Sequence, residues 1–436
     1  MVDLHQTLKL LSDAEYADVR YMKQREVEIG LRHESSDIFE CFSEKMMCRV
    51  VSGGYGVICT SKLDKSSLKR ISKLVLKHAK NAERRVRLAP VKVEEGRVEH
   101  KVKKEFDSFD AHELLKSLRE QLHSILGKVY ARSELVISYR LTESTLVTSE
   151  GTNVNECTPM IDITLYLIAK RMQQGFASKT LGGRGGFEIV EGQDWSHILE
   201  ELANRAKNCM KAKSLPPTLK GGRFKVLLDS EGAGALAHEL AHMLEADVYQ
   251  KSLFRRLKVG GELEIVDNPT LSQGYGSFTW DDEGVKTNKK VLLKDVIMNL
   301  LHTRFTASGD GEPGNAHGVI HMPRPMVSNV HIKPADWKIS EMFEDTRNGI
   351  YTNGVIRAEC DTSDGKFELI PEISYFVKQG RIRDSIKHLR IVGNIIDLIQ
   401  RVDAIGDDVR LRPNIEKGFC ISEGGPHIRI DGVPCF

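Results

Sequence analysis

The chain has 436 residues and carries 63 Lys+Arg against 61 Asp+Glu, a formal net charge of +2, which removes any general electrostatic case for a nucleic-acid partner. Its 40% hydrophobic and 28% charged residues are those of a soluble globular protein, too long for one ordinary core and implying two or three domains. Met1 to Lys23 lacks the apolar core of a signal peptide, and no run of about 18 apolar residues offers a membrane span; eight scattered cysteines without a CxxC pair read as reduced thiols, so a cytoplasmic location is expected.

Residues 4–22 read as a helix followed by a strand. Short strands are predicted at Val27–Leu31, Asp37–Ser43, Met46–Val51 and Tyr55–Thr60, with Gly53-Gly54 as a turn. Asp64 opens a helix through Lys80, whose Leu68, Ile71, Leu74, Val75 and Ala79 recur at helical spacing, completing a small α/β unit over 1–82. Residues 83–104 are basic (Arg84-Arg85, Lys101 to Lys104) and read as a solvated linker, because too few aromatics interleave for a nucleic-acid patch. A second α/β unit, 105–213, begins with a helix over about 109–128 and continues with strands Leu135–Arg140, Ser144–Ser149 and Ile161–Arg171. Gly182 to Gly186 lacks the Lys-Ser/Thr ending of a phosphate loop and reads as a flexible turn. A helix from about 193 to 213 closes this half, and Ser214-Leu215-Pro216-Pro217 marks a boundary. The remainder, 218–436, is strand-rich: a buried-type strand at Phe224–Asp229, further strands at Tyr275–Trp280, Lys290–Leu293, Phe367–Ile370 and Ile373–Val377, and a helical stretch at Gly393–Ile399. The fold class is α+β.

The strand at Phe224–Asp229 leads into a proline-free run containing His238-Glu239-Leu240-Ala241-His242. On a helix, residues i and i+4 differ by only about 40° around the axis, so both imidazoles point the same way and can share a Zn²⁺. Glu239, beside the first of them, is placed to act as base on a metal-bound water. A catalytic zinc site usually takes a third protein ligand, which could be His, Asp, Glu or Cys. Glu245 is the one nearby acid on the His face, and a ligand from a distant segment is the other option.

The motifs along the chain resemble those of the TldD/PmbA family of zinc metallopeptidases, also described as modulators of DNA gyrase. Ala14-Glu15-Tyr16-Ala17-Asp18-Val19-Arg20, Gly53-Gly54-Tyr55-Gly56, Leu63-Asp64, Ser149-Glu150-Gly151, Asp281-Asp282-Glu283-Gly284, Met322-Pro323-Arg324-Pro325-Met326 with Asn329, and Gly406-Asp407-Asp408 follow in the family's order. The resemblance implies an N-terminal α/β part with flanking helices and a C-terminal β-rich domain wrapped around the metal-binding helix. It also implies Cys420, in Gly418-Phe419-Cys420, as third zinc ligand, extended or unfolded peptides as substrates, and a homodimer or a heterodimer with a PmbA-like subunit. A non-catalytic partner or regulator, including a gyrase-modulating role, is the alternative it carries. One departure stands out. The family pattern is H-E-x-x-x-H, and here the spacing is one residue shorter. Anchoring upstream keeps His238 and Glu239 in register; anchoring downstream puts Ala237 where the first ligand belongs. A regular helix favours the first, because i,i+5 ligands require a bulge. Asp281 to Glu283 read as a turn with solvated carboxylates, Arg324 and Asn329 as loop residues able to bind a peptide carbonyl or carboxylate, and His317 and His321, flanked by glycine, as no second metal pair. Cys435 reads as an incidental thiol.

Overall fold

In the computed structural model, which describes residues 3–32, 35–83, 85–318 and 320–436, helices are few and strands long. Arg84, half of the basic pair expected in the linker, lies outside the described residues. The N-terminal half is built on one seven-stranded sheet. Its strands Tyr16–Arg32 and Ser35–Ser52 pair along their whole length, and Tyr16–Arg32 also pairs with Tyr130–Thr148 from Asp18 to Arg32. The units expected as 1–82 and 105–213 therefore share a single sheet. The predicted short strands fuse because neighbours on both sides take up the backbone of the polar stretch Lys23–Glu26, where hydrophobic alternation fails. The side chains there are held by ion pairs, Arg25 with Glu40 and Arg140 with Glu26, each at 2.8 Å.

Helices cover this sheet. Lys65–Asn81 is capped by Asp64, which accepts from Ser67 N at 2.9 Å, and its Leu68, Ile71, Val75 and Ala79 pack on Met46, Cys48 and Val50. Ala111–Leu126 lays Leu115, Leu118, Leu122 and Leu126 over Leu135, Ile137, Ile163 and Leu165, beside Trp195–Lys211. Glu95–Glu99, expected within a linker, instead adds a parallel strand beside Asn153–Cys157. Gly182 and Gly183 are not a flexible turn. They finish the strand Gln174–Arg184, and a Cβ on Gly183 would stand 2.4 Å from the Gln273 carbonyl, so the glycine is needed for close approach.

In the C-terminal half, the pairing of Asn348–Asp361 with Lys366–Lys378 closes an eight-stranded sheet into a barrel that also includes Gly222–Leu228 and Ile428–Cys435. A six-stranded sheet holds Asn329–Ile332, Arg410–Glu416 and Phe419–Gly425. The helix Ser230–His242 lies between these sheets, apolar nearly all round, which is the pattern of a central core helix. Tyr275–Trp280 forms glycine-rich turns, not the expected strand, and Gly393–Ile399 divides into a strand end and a helix at Ile395–Ile399.

The halves are joined by buried charge. Asp281, Asp282 and Glu283 are not solvated. Asp281 accepts from the backbone of Glu283, Val285 and Ala316; Asp282 pairs with Arg20 at 2.9 Å; and Glu283 accepts from Arg304 N at 2.5 Å. Arg49, 2% exposed, is paired with Asp18 at 2.9 Å and donates to the Asp282 carbonyl. Burial, with Asp281 beside it, pushes Glu283 up to about 8. A second bridge joins Arg205 of the Trp195–Lys211 helix to Glu372 of the barrel. Because Arg49→Met strands the Asp18 carboxylate in the core, it is expected to cost about 3–5 kcal/mol of stability in urea unfolding. A cost below about 1 kcal/mol would show that this cluster does not hold the halves together.

Candidate metal centre

Asp229 caps the central helix by accepting from Gly232 N at 2.9 Å, and an alanine-rich run carries it to His242. Gly234 lets it settle directly on the Phe419–Gly425 strand, since a Cβ there would lie 2.5 Å from Gly424 Cα. This contact sets the depth at which the next turns present their side chains. His238 and His242 emerge together, their Nε2 atoms 3.0 Å apart and their rings edge to face. Ala237 points into the apolar core. The shortened spacing thus keeps both imidazoles on one site, as the upstream alignment requires.

The third group is Glu416, at the end of the Arg410–Glu416 strand. Its Oε2 lies 3.1 Å from both Nε2 atoms. Among the described residues this is the one cluster of three such ligand atoms. Glu423 stands 3.1 Å from His238 Nδ1 without hydrogen-bond geometry, and Glu245 orients His242 from behind through a hydrogen bond at Nδ1, 2.7 Å. That is how carboxylates commonly fix metal-ligating histidines. Ligands about 2.0–2.1 Å from a tetrahedral ion stand about 3.3 Å apart, close to these edges. Glu416 Oε2 is buried and satisfies no hydrogen-bond geometry despite its two close nitrogens. An orphaned carboxylate oxygen facing two imidazoles suits a cation, and the donor set fits zinc.

The electrostatics agree. Burial would push His242 down, but its hydrogen bond to Glu245 and the negative charge of Glu416 close by outweigh it and carry the group up to about 10. Although burial opposes it, the two histidines and Lys417 hold Glu416 far below the usual carboxylate range. The pocket demands positive charge. Glu239 lies beside the cluster with Oε2 accepting from Cys360 N at 2.8 Å, and burial raises its pKa. With His238 it lines a cleft of about 370 Å³.

Cys420 stands apart from this cluster. In the hairpin, Glu416 is paired with Phe419 and Ile415 with Cys420. Glu416, Phe419, Ile421 and Glu423 therefore share the face toward the histidines, and Cys420 takes the other. There Arg140 Nη1 lies 3.4 Å from its sulfur, and Tyr275 and Asp162 are close by. Burial pushes the thiol up, and Arg140 beside it works the other way. Glu245 is an orienting partner of His242. Sequence reasoning missed Glu416 and Glu423; the available signal was strand alternation around Lys417-Gly418, which sets the two acids, not the cysteine, on one face. Asn329 is fully buried and braces the Gly276 and Ser277 turn, while Arg324 pairs with Asp247 at the surface. His317 is buried between Phe278 and Phe419, and His321 is exposed, bonded to the Met322 carbonyl.

Residues 98–210 match the central domain of PmbA/TldA metallopeptidases, and residues 221–435 match the C-terminal domain. A metalloprotease of Methanothermobacter thermautotrophicus is 34% identical over 66% of each chain. A metalloprotease of Methanocaldococcus jannaschii is 28% identical over 100% of this chain and 98% of its own. A zinc metalloprotease TldD homolog of Saccharolobus solfataricus is 29% identical over 58% of this chain and 59% of its own. TldE from Thermococcus kodakarensis superposes with a TM-score of 0.78 at 15% identity, over 99% of this chain and 98% of that one, and so shares the fold. With both domain models spanning most of its length, the chain belongs to the TldD/PmbA family of metallopeptidases.

Proposed function

We propose that the protein is a zinc-dependent peptidase whose ion is held by His238, His242 and Glu416. The observation that carries this reading is the convergence of two Nε2 atoms and an orphaned carboxylate oxygen within 3.1 Å of one another. Zinc bound there would supply a Lewis acid for the scissile carbonyl and an activated water. Glu239 would take that water's proton on its carboxylate and deliver it to the leaving amine, a role suited to a carboxylate whose burial raises its pKa. Glu245 would keep His242 in the tautomer that turns Nε2 to the ion, and Glu423 places negative charge behind His238.

An extended peptide is the substrate form favoured by the cleft beside Glu239. It is bordered by Ser178–Thr180, Val355–Ala358 and Arg412–Asn414, parts of three different strands. Of these, Arg410–Glu416 pairs on one side only, the geometry that strand addition needs, whereas Ser178 N of Gln174–Arg184 already donates to Glu372. A PmbA/TldE-like partner role is the second reading, favoured by the fold shared with TldE. Zinc content separates the two: one zinc per chain after purification without added metal supports the peptidase, and none supports the partner.

Glu239→Gln keeps the side chain's shape and removes the base, so zinc content is expected to stay at the parent's level while turnover falls by at least about 100-fold. Parental activity in this variant would mean that another group takes the proton. Glu416→Ala is expected to lose most of the zinc, whereas Cys420→Ala retains it, as read by metal analysis of the dialysed proteins. The reverse pattern would return Cys420 to the ligand set and remove Glu416.

A further inference from the structure

A second cleft, of about 400 Å³, opens on the other side of Glu416, between the N-terminal sheet and the C-terminal half. That volume falls in the range of ligand pockets, about 300–1,000 Å³, and domain junctions are where such pockets collect. Its floor is the sheet face on which Met22 and Met160 stand, and its roof is Phe278, Trp280, His317 and Phe419. Phe419 is the cross-strand partner of Glu416, and His317 packs on Phe419 at 5.1 Å between ring centroids, so the cleft borders the metal cluster.

The walls select by chemistry. Lys45 is also in the lining; the basic groups Arg20, Arg140 and Lys417 are already paired, with Asp282, Glu26 and Glu416. They offer little to a charged side chain that would have to shed its water. The thioethers and aromatic rings, by contrast, gain from contact with an apolar guest. Two polar atoms of the roof are unspent: Trp280 Nε1 and His317 Nε2 are buried and have no hydrogen-bond partner, and burial lowers the pKa of His317, keeping the ring neutral.

On the peptidase reading given above, we infer that this cleft is the subsite for a large apolar side chain, aromatic or long aliphatic, of the residue flanking the scissile bond, with His317 Nε2 hydrogen-bonded to the peptide main chain beside it. The site therefore has two arms: an open-edged cleft for the extended backbone on the Glu239 side, and an apolar pocket for one side chain on the Glu416 side.

The test uses zinc-loaded full-length protein and peptides in which the residues on either side of the cleaved bond are varied among Phe, Leu, Ala and Asp. Phe and Leu are expected to exceed Ala in kcat/KM by about 100-fold at one of the two positions, with Asp poorest. Met22→Trp, or Thr158→Phe from the strand of the floor that carries Met160, fills the cleft and is expected to bring the Phe-to-Ala ratio down at least about tenfold. His317→Phe keeps the ring packing, and is expected to lower kcat/KM for Phe and Ala peptides by the same factor, leaving their ratio intact. A parental ratio in both filling variants overturns the subsite, as does a preference for Asp. Should the parent hold zinc and cleave nothing, the peptidase reading fails, and the cleft is judged by calorimetry with an N-acetylated, amidated Phe peptide. Binding that is weakened by Met22→Trp supports the pocket, and equal or absent binding overturns it.

Discussion

An excess of negative charge, gathered in a nearly dry space around two imidazoles, is the constraint on which the rest of the molecule turns. Glu416 faces both rings, Glu423 and Glu245 stand behind them, and Glu239 lies alongside. Four acids this close are tolerable in a low dielectric only if cations answer them. Arg412 answers Glu423 and Lys417 answers Glu416. The imidazoles answer the rest, with His242 held protonated up to about 10 in the absence of an ion. The helix that carries the histidines adds Glu239 to this balance and, in its first turn, Glu231, which Lys179, Arg205 and Arg412 answer; the rest of it is apolar and sits at the centre of the core.

The same economy recurs where the halves meet. Arg20, Arg49 and Arg304 reach from one half or the other into the Asp281–Glu283 turn, and backbone amides take up the remaining acceptors of Asp281. The cleft proposed for an apolar side chain lies next to this cluster, so the sheet that forms its floor is held in place by charges that are not available to a ligand. Rigidity of the floor and selectivity for apolar guests follow from one set of ion pairs.

Much of this was legible in the sequence. The cap at Asp64, the stripe Leu68–Ile71–Val75–Ala79 and the i,i+4 histidines depend on local chemistry, and the structure keeps them. The strands of the N-terminal sheet were legible only in pieces, because Lys23–Glu26 is polar and is held by pairing with residues far away in the chain. Asp281–Glu283 read as a solvated turn because its arginine partners lie about 20 to 260 residues away, a separation that no window of sequence spans. Glu416 was hidden by a different cause. Its neighbour Cys420 carried the family resemblance, and the parity of the hairpin, which decides which of the two faces the histidines, becomes visible only once Ile415 is seen opposite Cys420.

The bare contact between Gly234 and Gly424 has one more consequence. It fixes the distance from helix to strand by backbone against backbone, with no side chain between them to swell, shrink or change rotamer. The spacing between the histidines and Glu416 is thereby insulated from drift in the surrounding core. Leucines and isoleucines elsewhere in the barrel do not enter that distance. A single methyl group added at Gly234 would open the gauge, whereas one at Gly424 would press on the Arg410 carbonyl of the neighbouring strand.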